Sequence, residues 1–549
     1  MLKIIPLGGL GEIGLNMMVI EYNDVIFIID AGLMFPEDYM LGVDIVIPAM
    51  DYLRENRDKI QAIIITHAHE DHIGALPYLL KEIRLPVYGT AFTLGIVRRK
   101  LMEFDLNKYI DLNLVSPGET LSIDPFDIEF IRVSHSTIDG VGLAIRTPEG
   151  VIVHTGDFRI SHDADKTRNT DIASFARFGE QGVLVLMSDS TNVEVTGYTM
   201  SEQEVARNLK KRIDLAEGRV IVALFASNVF RIQQVIDIAV SNNRKVIIHG
   251  RSMEQIIAVA TELGHINCPP DTMLDIKQIS KFRDDEVAII TTGSQGEPMS
   301  ALARMASGTH KQIRIKQGDS VIFSSKHIPG NEKAIAGIIN KLYRRGADVI
   351  YSKIAQIHAS GHAHQEELKL MINLVKPEYF IPIHGEYRHL VVHARLAEKM
   401  GMPRKNVLVV EDGKVVVFDQ DGGRIDGSVQ TGRIFVDGKG IGDVGRSVLK
   451  ERRELSEGGL VVVTMIIDEE TGVVLYGPEL ISKGFVFDSA TGYLVDDAQC
   501  VILEIVEEID VNTKNRVDVL RKKLQRALKQ YFAFAINRKP LIVPVIIEV

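Results

Sequence analysis

Residues 61–72 read QAIIITHAHEDH, and this stretch decides the fold. An apolar run, 61–66, stops at His67, His69, Asp71 and His72, and the pattern over 73–83 then predicts a helix. A buried strand whose end turns polar before a helix is where α/β folds place their sites. Three imidazoles and the Asp71 carboxylate suit zinc or manganese. His67 and His69, two apart on a loop, can reach one ion, and Asp71 and His72, at the start of the helix, can reach a second. Four donors cannot fill two coordination shells, so further ligands must come from elsewhere in the chain.

Working outward, the same unit recurs. A strand at 151–154 ends in Thr155-Gly156-Asp157, one at 183–187 ends in SDSTN with Asp189, and one at 379–384 ends in His384 within PIHGE. His135 in VSHS, Asp157 and His384 are the candidate missing ligands; on one edge of a sandwich they complete two sites that share Asp157 as a bridge. Upstream, 2–7, 17–22 and 25–30 read as strands. Residues 9–14, GLGEIG, fit the dinucleotide pattern G-x-G-x-x-G, but 15–22 continues as a β-type run. Without a helix opening at the third glycine there is no anion-binding helix end, so a tight turn is expected.

The chain has 549 residues, 63 Lys+Arg against 73 Asp+Glu, 25% charged and 46% hydrophobic residues. This balance excludes a disordered chain, a collagen-like fibre and a disulfide scaffold. Two cysteines, Cys268 and Cys500, cannot make a Cys-rich zinc module and fit a reducing cytoplasm, so a metal site must use His, Asp and Glu. The start of the chain lacks a signal peptide's apolar core, and the apolar runs 460–463 and 541–547 fall short of the roughly 18 residues that span a bilayer. A cytoplasmic protein with no membrane association is expected.

Taken in order, Asp30, HAHEDH, His135 and Asp157 resemble the motifs of the metallo-β-lactamase superfamily, in which the residue at Asp30 orients the site rather than binding metal. That resemblance implies a fold and a metal but no substrate, because many chemistries share the scaffold. Asp189 in SDSTN, His362 in ASGHA and His384 in PIHGE resemble three further motifs of the β-CASP branch, whose known members act on nucleic acids. GGLGEIG, DAGLMFPED, FASNVFR, GRSME, TTGSQGEPM, IPGNE, PIHGEYRHL and the tail RKPLIVPVIIEV are similar to ribonuclease J along essentially the whole chain. The expected architecture is α/β: a metallo-β-lactamase αββα sandwich in two parts, 1–200 and 355–440, an inserted β-CASP α/β domain at 201–354, a linker at 441–455 and a small C-terminal α/β domain at 456–549.

The resemblance implies a ribonuclease of mRNA decay and rRNA maturation, a 5′→3′ exonuclease preferring 5′-monophosphate ends and also an endonuclease. It implies two zinc ions per subunit, replaceable by manganese or magnesium, and no organic cofactor. His67, His69, His135 and Asp157 would hold one ion, and Asp71, His72, Asp157 and His384 the other. His362 would bind the scissile phosphate or act as general acid, with Asp189 orienting it or a ligand. It further implies a homodimer or homotetramer acting on single-stranded RNA, in an RNA-degradation or ribosome-associated complex. A small-molecule hydrolase would carry neither the insertion nor the motifs around His362 and His384. A catalytically silent subunit would have lost a ligand, and none is missing.

Selectivity for a 5′ phosphate needs donors at a fixed distance from the metals. Two loops can supply it, Ser227-Asn228-Val229 and His358-Ala359-Ser360-Gly361-His362, whose hydroxyls and N–H groups make anion nests at turns. Ser324, Ser325, Lys326 and His327 are further candidates for the RNA path. Residues 201–355 carry 22 Lys+Arg against 16 Asp+Glu, a balance of +6, which leaves −16 for the rest of the chain's net −10. RNA is expected on the side of the insert, with binding that weakens in salt.

Overall fold

The computed structural model describes the chain except residues 162–165, 298, 326–330, 353, 439 and 486–491, so Lys326 and His327 lie outside the described residues. Two sheets make the sandwich. One has eight strands in the order Gly422–Ser428, Lys414–Asp419, Leu2–Gly8, Met17–Tyr22, Val25–Ile29, Ile60–Ile64, Val87–Gly89 and Leu112–Leu114. The other has six, in the order Tyr379–Ile383, Val185–Asp189, Gly150–His154, Val141–Thr147, Phe126–Arg132 and Thr120–Ile123. Ile4, Ile20, Phe27 and Ile64 from the first sheet share a core with Phe126, Phe130, Leu143, Val185 and Ile381 from the second. Phe27 meets Phe126 edge to face, with ring centroids 5.0 Å apart. On its other side the six-stranded sheet packs Ala144, Val153, Leu186 and Phe380 against Phe175, Phe178, Met371 and Leu396 of the helices Ile172–Gln181, Gln365–Val375 and Tyr387–Lys399. Burial on both faces is why the strands Val141–Thr147, Gly150–His154 and Val185–Asp189 read as apolar runs rather than alternating ones.

The chain leaves the six-stranded sheet after Asp189 and rejoins it at Tyr379. Between them lie five parallel strands in the order Lys245–His249, Val287–Thr291, Val220–Ala223, Ser320–Phe323 and Asp348–Ile350. Val220, Val222, Val246 and Ile290 face the helices Glu202–Asp214, Val229–Ser241 and Arg251–Glu262. Ile221, Ile247, Ile289 and Val321 face Ala301–Ser307 and Glu332–Arg344.

Two compact units result, Met1–Met34 with Ile47–Arg433, and Phe35–Val46 with Ile434–Val549. In the second, strands Val474–Lys483, Leu460–Ile467 and Leu541–Glu548 form a sheet, and alternate residues Val461, Val463, Met465 and Ile467 pack on the helices Gly492–Glu507 and Arg516–Ile536. Among the described residues no helix is long and apolar enough to cross a membrane.

Two local expectations differ from the structure. The segment 441–455, read as a linker, is helical from Arg446 onward, in Arg446–Gly458. The single helix expected over 73–83 is broken into Glu70–Ile73 and Leu76–Glu82. The break falls at Gly74, where a Cβ would lie 2.2 Å from the Leu33 side chain, and Pro77 sits in the first turn of the second helix, where its missing N–H costs nothing.

Candidate metal centre

Strands from both sheets end at one edge and release Asp30, the 67–72 loop, His135, Asp157, Asp189 and His384 into a common space. Asp157 is at its middle. Its Oδ2 lies 3.6 Å from His67 Nε2, 3.7 Å from His135 Nε2, 3.3 Å from His72 Nε2 and 3.5 Å from His384 Nε2. His69 Nδ1 is 3.0 Å from His67 Nε2 and 3.1 Å from His135 Nε2. Asp71 Oδ2 is 3.3 Å from His384 Nε2 and 3.6 Å from His72 Nε2. Among the described residues two donor groups share Asp157, His67, His69, His135 and Asp157, and Asp71, His72, Asp157 and His384, and a third set, Asp157, Asp189, His362 and His384, overlaps them; the donor atoms within each lie within 4.8 Å of one another.

The outward nitrogens fix the tautomers. His72 Nδ1 donates to Asp30 Oδ2 at 2.7 Å, and His135 Nδ1 donates to the Gly361 carbonyl at 2.8 Å. His384 Nδ1 donates at 2.7 Å to Thr191 Oγ1, whose own proton goes to the His384 carbonyl at 3.1 Å. His67 Nδ1 donates at 3.0 Å to Thr66 Oγ1, which donates to Asp30 Oδ2 at 2.8 Å. Each of these rings therefore aims Nε2 inward. Converging imidazole nitrogens and carboxylate oxygens, with their outer atoms hydrogen-bonded, are the donor set of a divalent metal site.

The two groups differ electrostatically. Burial pushes His67 and His135 well below the ordinary imidazole range and His69 down to about 4, so all three are neutral bases. Burial also opposes charge on His384 and His72, but Asp157 and Asp71 outweigh it; His384 rises to about 9 and His72 rises well above its ordinary value. Asp30 and His384 hold left-handed backbone, φ +64° and +53°, a strain that non-glycine residues keep where the surroundings over-determine it.

His362 stands beside both groups, its ring centroid 4.8 Å from that of His135 and 5.3 Å from that of His384. Its Nδ1 donates to Asp189 Oδ2 at 2.8 Å, and Asp189 Oδ1 accepts from Thr191 N at 2.9 Å. Burial opposes charge on His362, but the Asp189 carboxylate wins and raises its pKa.

Of the loop candidates, Ser227 reaches the centre through its hydroxyl, with Oγ 3.1 Å from His69 Nε2. With His69 Nδ1 turned inward, Nε2–H donates to Ser227, which leaves the hydroxyl proton of Ser227 for another acceptor. Ser360 Oγ accepts from Asn192 Nδ2 at 2.6 Å and from His362 N at 3.2 Å. Gly361 packs on His135, where a Cβ would lie 2.6 Å from the ring, and His358 is partly buried in the same loop. Asn228 is buried and caps the helix Val229–Ser241 by accepting from Arg231 N at 3.0 Å. Val229 and Ala359 are core residues, 1% and 2% exposed, so their side chains shape the loops rather than line a pocket. Ser324 Oγ donates to the Ile357 carbonyl at 2.6 Å, and Ser325 Oγ accepts from Gln295 at 3.2 Å.

Several residues went unread in the sequence. Asn16 Nδ2 donates to the Asp71 carbonyl at 3.0 Å and lies 3.4 Å from Asp71 Oδ2. It follows the glycine turn, whose Leu10–Gly11 pairs in parallel with Gly385–Glu386 directly after His384. The dinucleotide-like pattern is thus a turn, as expected, and it braces the metal centre. Thr191 and Asn192, inside SDSTN, hold His384 Nδ1 and Ser360 Oγ.

Comparison with known proteins agrees with this geometry. Family models match a metallo-β-lactamase superfamily domain at residues 10–218, a ribonuclease J β-CASP domain at 217–342, a Zn-dependent metallo-hydrolase RNA specificity domain at 347–410 and a ribonuclease J C-terminal domain at 447–549. The chain is 41% identical to ribonuclease J 1 of Streptococcus pyogenes, over 99% of its own length and 97% of the relative's. It is 41% identical to ribonuclease J2 of Bacillus subtilis over 100% and 98%, and 43% identical to ribonuclease J of Thermus thermophilus over 100% and 95%. A solved structure of a protein of unknown function from Enterococcus faecalis superimposes with a TM-score of 0.55 at 16% identity, covering 76% of this chain and 99% of that one, a likeness of fold alone. The chain belongs to the ribonuclease J family, and its metallo-β-lactamase, β-CASP and RNA-specificity domains make it a metal-dependent, RNA-processing nuclease.

Proposed function

We propose that this nuclease removes nucleotides 5′→3′ from 5′-monophosphorylated single-stranded RNA, also cuts internally, and works with two zinc ions per subunit. The observation that carries the reading is the pair of four-donor groups sharing Asp157, with His362 facing both. Such an ion pair, when bound, supplies an acidified water and neutralises charge on the phosphodiester. His67, His69, His135 and Asp157 are the ligands of one ion, and Asp71, His72, Asp157 and His384 those of the other. Asp30, Thr66, Thr191 and the Gly361 carbonyl hold the ligand rings in the tautomer that binds.

His362, its pKa raised by Asp189 against the opposing effect of burial, presents Nε2 to the scissile phosphate and gives its proton to the departing O3′. Loss of that O3′ leaves a fresh 5′-monophosphate on the shortened RNA, so a pocket reading a 5′-monophosphate is refilled after each cut. Ser227, one hydrogen bond from His69, and Ser360, beside His362, supply hydroxyls for that pocket, with the 358–362 turn around them. The positive balance of residues 201–355 attracts the rest of the strand. A homodimer or homotetramer in the cytoplasm, serving mRNA decay and rRNA maturation, completes the reading.

One RNA carrying a 5′-monophosphate, a 5′-triphosphate or a 5′-hydroxyl, with single-stranded DNA beside it, tests this. The expected result is mononucleotide release chiefly from the monophosphorylated RNA, abolished by chelation. Equal release from all three RNA ends would reject the pocket, and release in excess chelator would reject the metals.

A further inference from the structure

Next to these loops lies a buried ionic relay that the mechanism above does not use. Glu202, 2% exposed, opens the helix Glu202–Asp214 and accepts from two guanidinium groups. Arg231, in the helix Val229–Ser241, donates Nη2–H to Glu202 Oε2, and Arg159 donates Nη2–H to Glu202 Oε1 at 3.0 Å. Each arginine also holds a loop that faces the metal centre. Arg231 Nη1 donates to Ser324 Oγ at 2.9 Å and to the Ile357 carbonyl at 3.0 Å, while its backbone N–H meets the Asn228 cap. Arg159 Nη1 donates to the Ser360 carbonyl at 3.2 Å. The backbone of Arg159 pairs with Ser134, the neighbour of His135, two positions after Asp157. One carboxylate thus ties the 227–228 turn of the insert, the 357–360 segment and two ligand-bearing strand ends.

Stability alone does not explain such a group. Desolvating three charges is costly, and apolar residues of equal volume commonly do as well or better.

We propose that Glu202, with Arg159 and Arg231, is a positioning relay that fixes the 5′-phosphate pocket at a set distance from the metal centre and thereby sets the preference for monophosphorylated ends. The inference rests on the reading of Ser227 and Ser360 as that pocket. The test measures kcat/KM on 5′-monophosphorylated and 5′-hydroxyl forms of one RNA for wild type, Glu202→Gln and Arg159→Lys, with a melting temperature for each. Gln keeps the size and an acceptor without the charge. Lys keeps the charge but cannot join Glu202 to the Ser360 carbonyl through a planar fork. The monophosphate-to-hydroxyl ratio should fall about tenfold in both variants, the weight of one charged hydrogen bond, mainly through KM for the monophosphorylated RNA. Equal loss on both RNAs, or an unchanged ratio, would overturn the relay while wild-type preference keeps the pocket reading intact. A wild type without preference would overturn the pocket reading, and the relay with it. If Glu202→Gln does not fold, the ratio for Arg159→Lys decides.

Discussion

At the metal centre every donor is a side chain at or just beyond a strand end, and each imidazole except His69 has its outer nitrogen tied to a neighbour within 3.0 Å. In the loops opposite, the groups that fix position are carbonyls, helix caps and buried ions, while the residues read as binding the substrate include the core side chains Val229 and Ala359. The centre is specified by residue chemistry and the loops by packing. Damage to the centre should therefore affect every RNA alike, whereas damage to the loops should change which 5′ end is chosen.

The largest effect is expected from His69→Ala combined with Asp71→Ala, which takes one candidate side chain from each donor group. Cleavage of all RNAs should fall at least about 1,000-fold, several kcal/mol of barrier, and elemental analysis should show lost metal. Full metal content with full activity would erase the distinction between centre and loops. His362→Ala should cost roughly 100- to 10,000-fold on every 5′ end, the range for a general acid, with metal still bound. A loss confined to monophosphorylated RNA would move His362 from the centre to the loops.

Ser227→Ala sharpens the comparison from the other side. Its expected cost is about tenfold, seen in KM for monophosphorylated RNA and much less for 5′-hydroxyl RNA. Equal losses on both ends would make Ser227 part of the centre, acting through His69.

The smallest effect concerns the turn that braces the centre. Asp412 accepts from Leu10 N at 3.0 Å, and burial together with repulsion from Glu12 raises its pKa from 3.8 to about 8. The folded chain then keeps a proton that the unfolded chain releases above about pH 4. Stability from this group falls as pH rises between roughly 4 and 8. Asp412→Asn keeps the acceptor and removes the titration. Its melting temperature should gain on wild type from pH 5 to pH 8, and a gap constant across that range would contradict the assignment.

Legibility in the sequence followed the same division. The clustering of His67, His69, Asp71, His72, His135, Asp157 and His384 was legible because apolar runs marked the strands that carry these metal-binding residue types. Glu202 could not be read, because an acidic residue in the first turn of a helix is an ordinary response to the helix dipole. Only the fold reveals that it is buried between arginines 43 positions before it and 29 after it. Asn16 was hidden by a glycine pattern that points elsewhere, and the break at Gly74 by a hydrophobic periodicity that runs through it.

The central claim is that two ions, one in each donor group, are needed for the reaction. Chelated protein titrated with zinc or manganese, with metal bound per chain and cleavage of monophosphorylated RNA followed together, tests it most directly. Activity should stay near zero through the first equivalent if the groups fill in turn and rise with the second. Full cleavage by metal-free protein, or a plateau at one ion per chain, would contradict it.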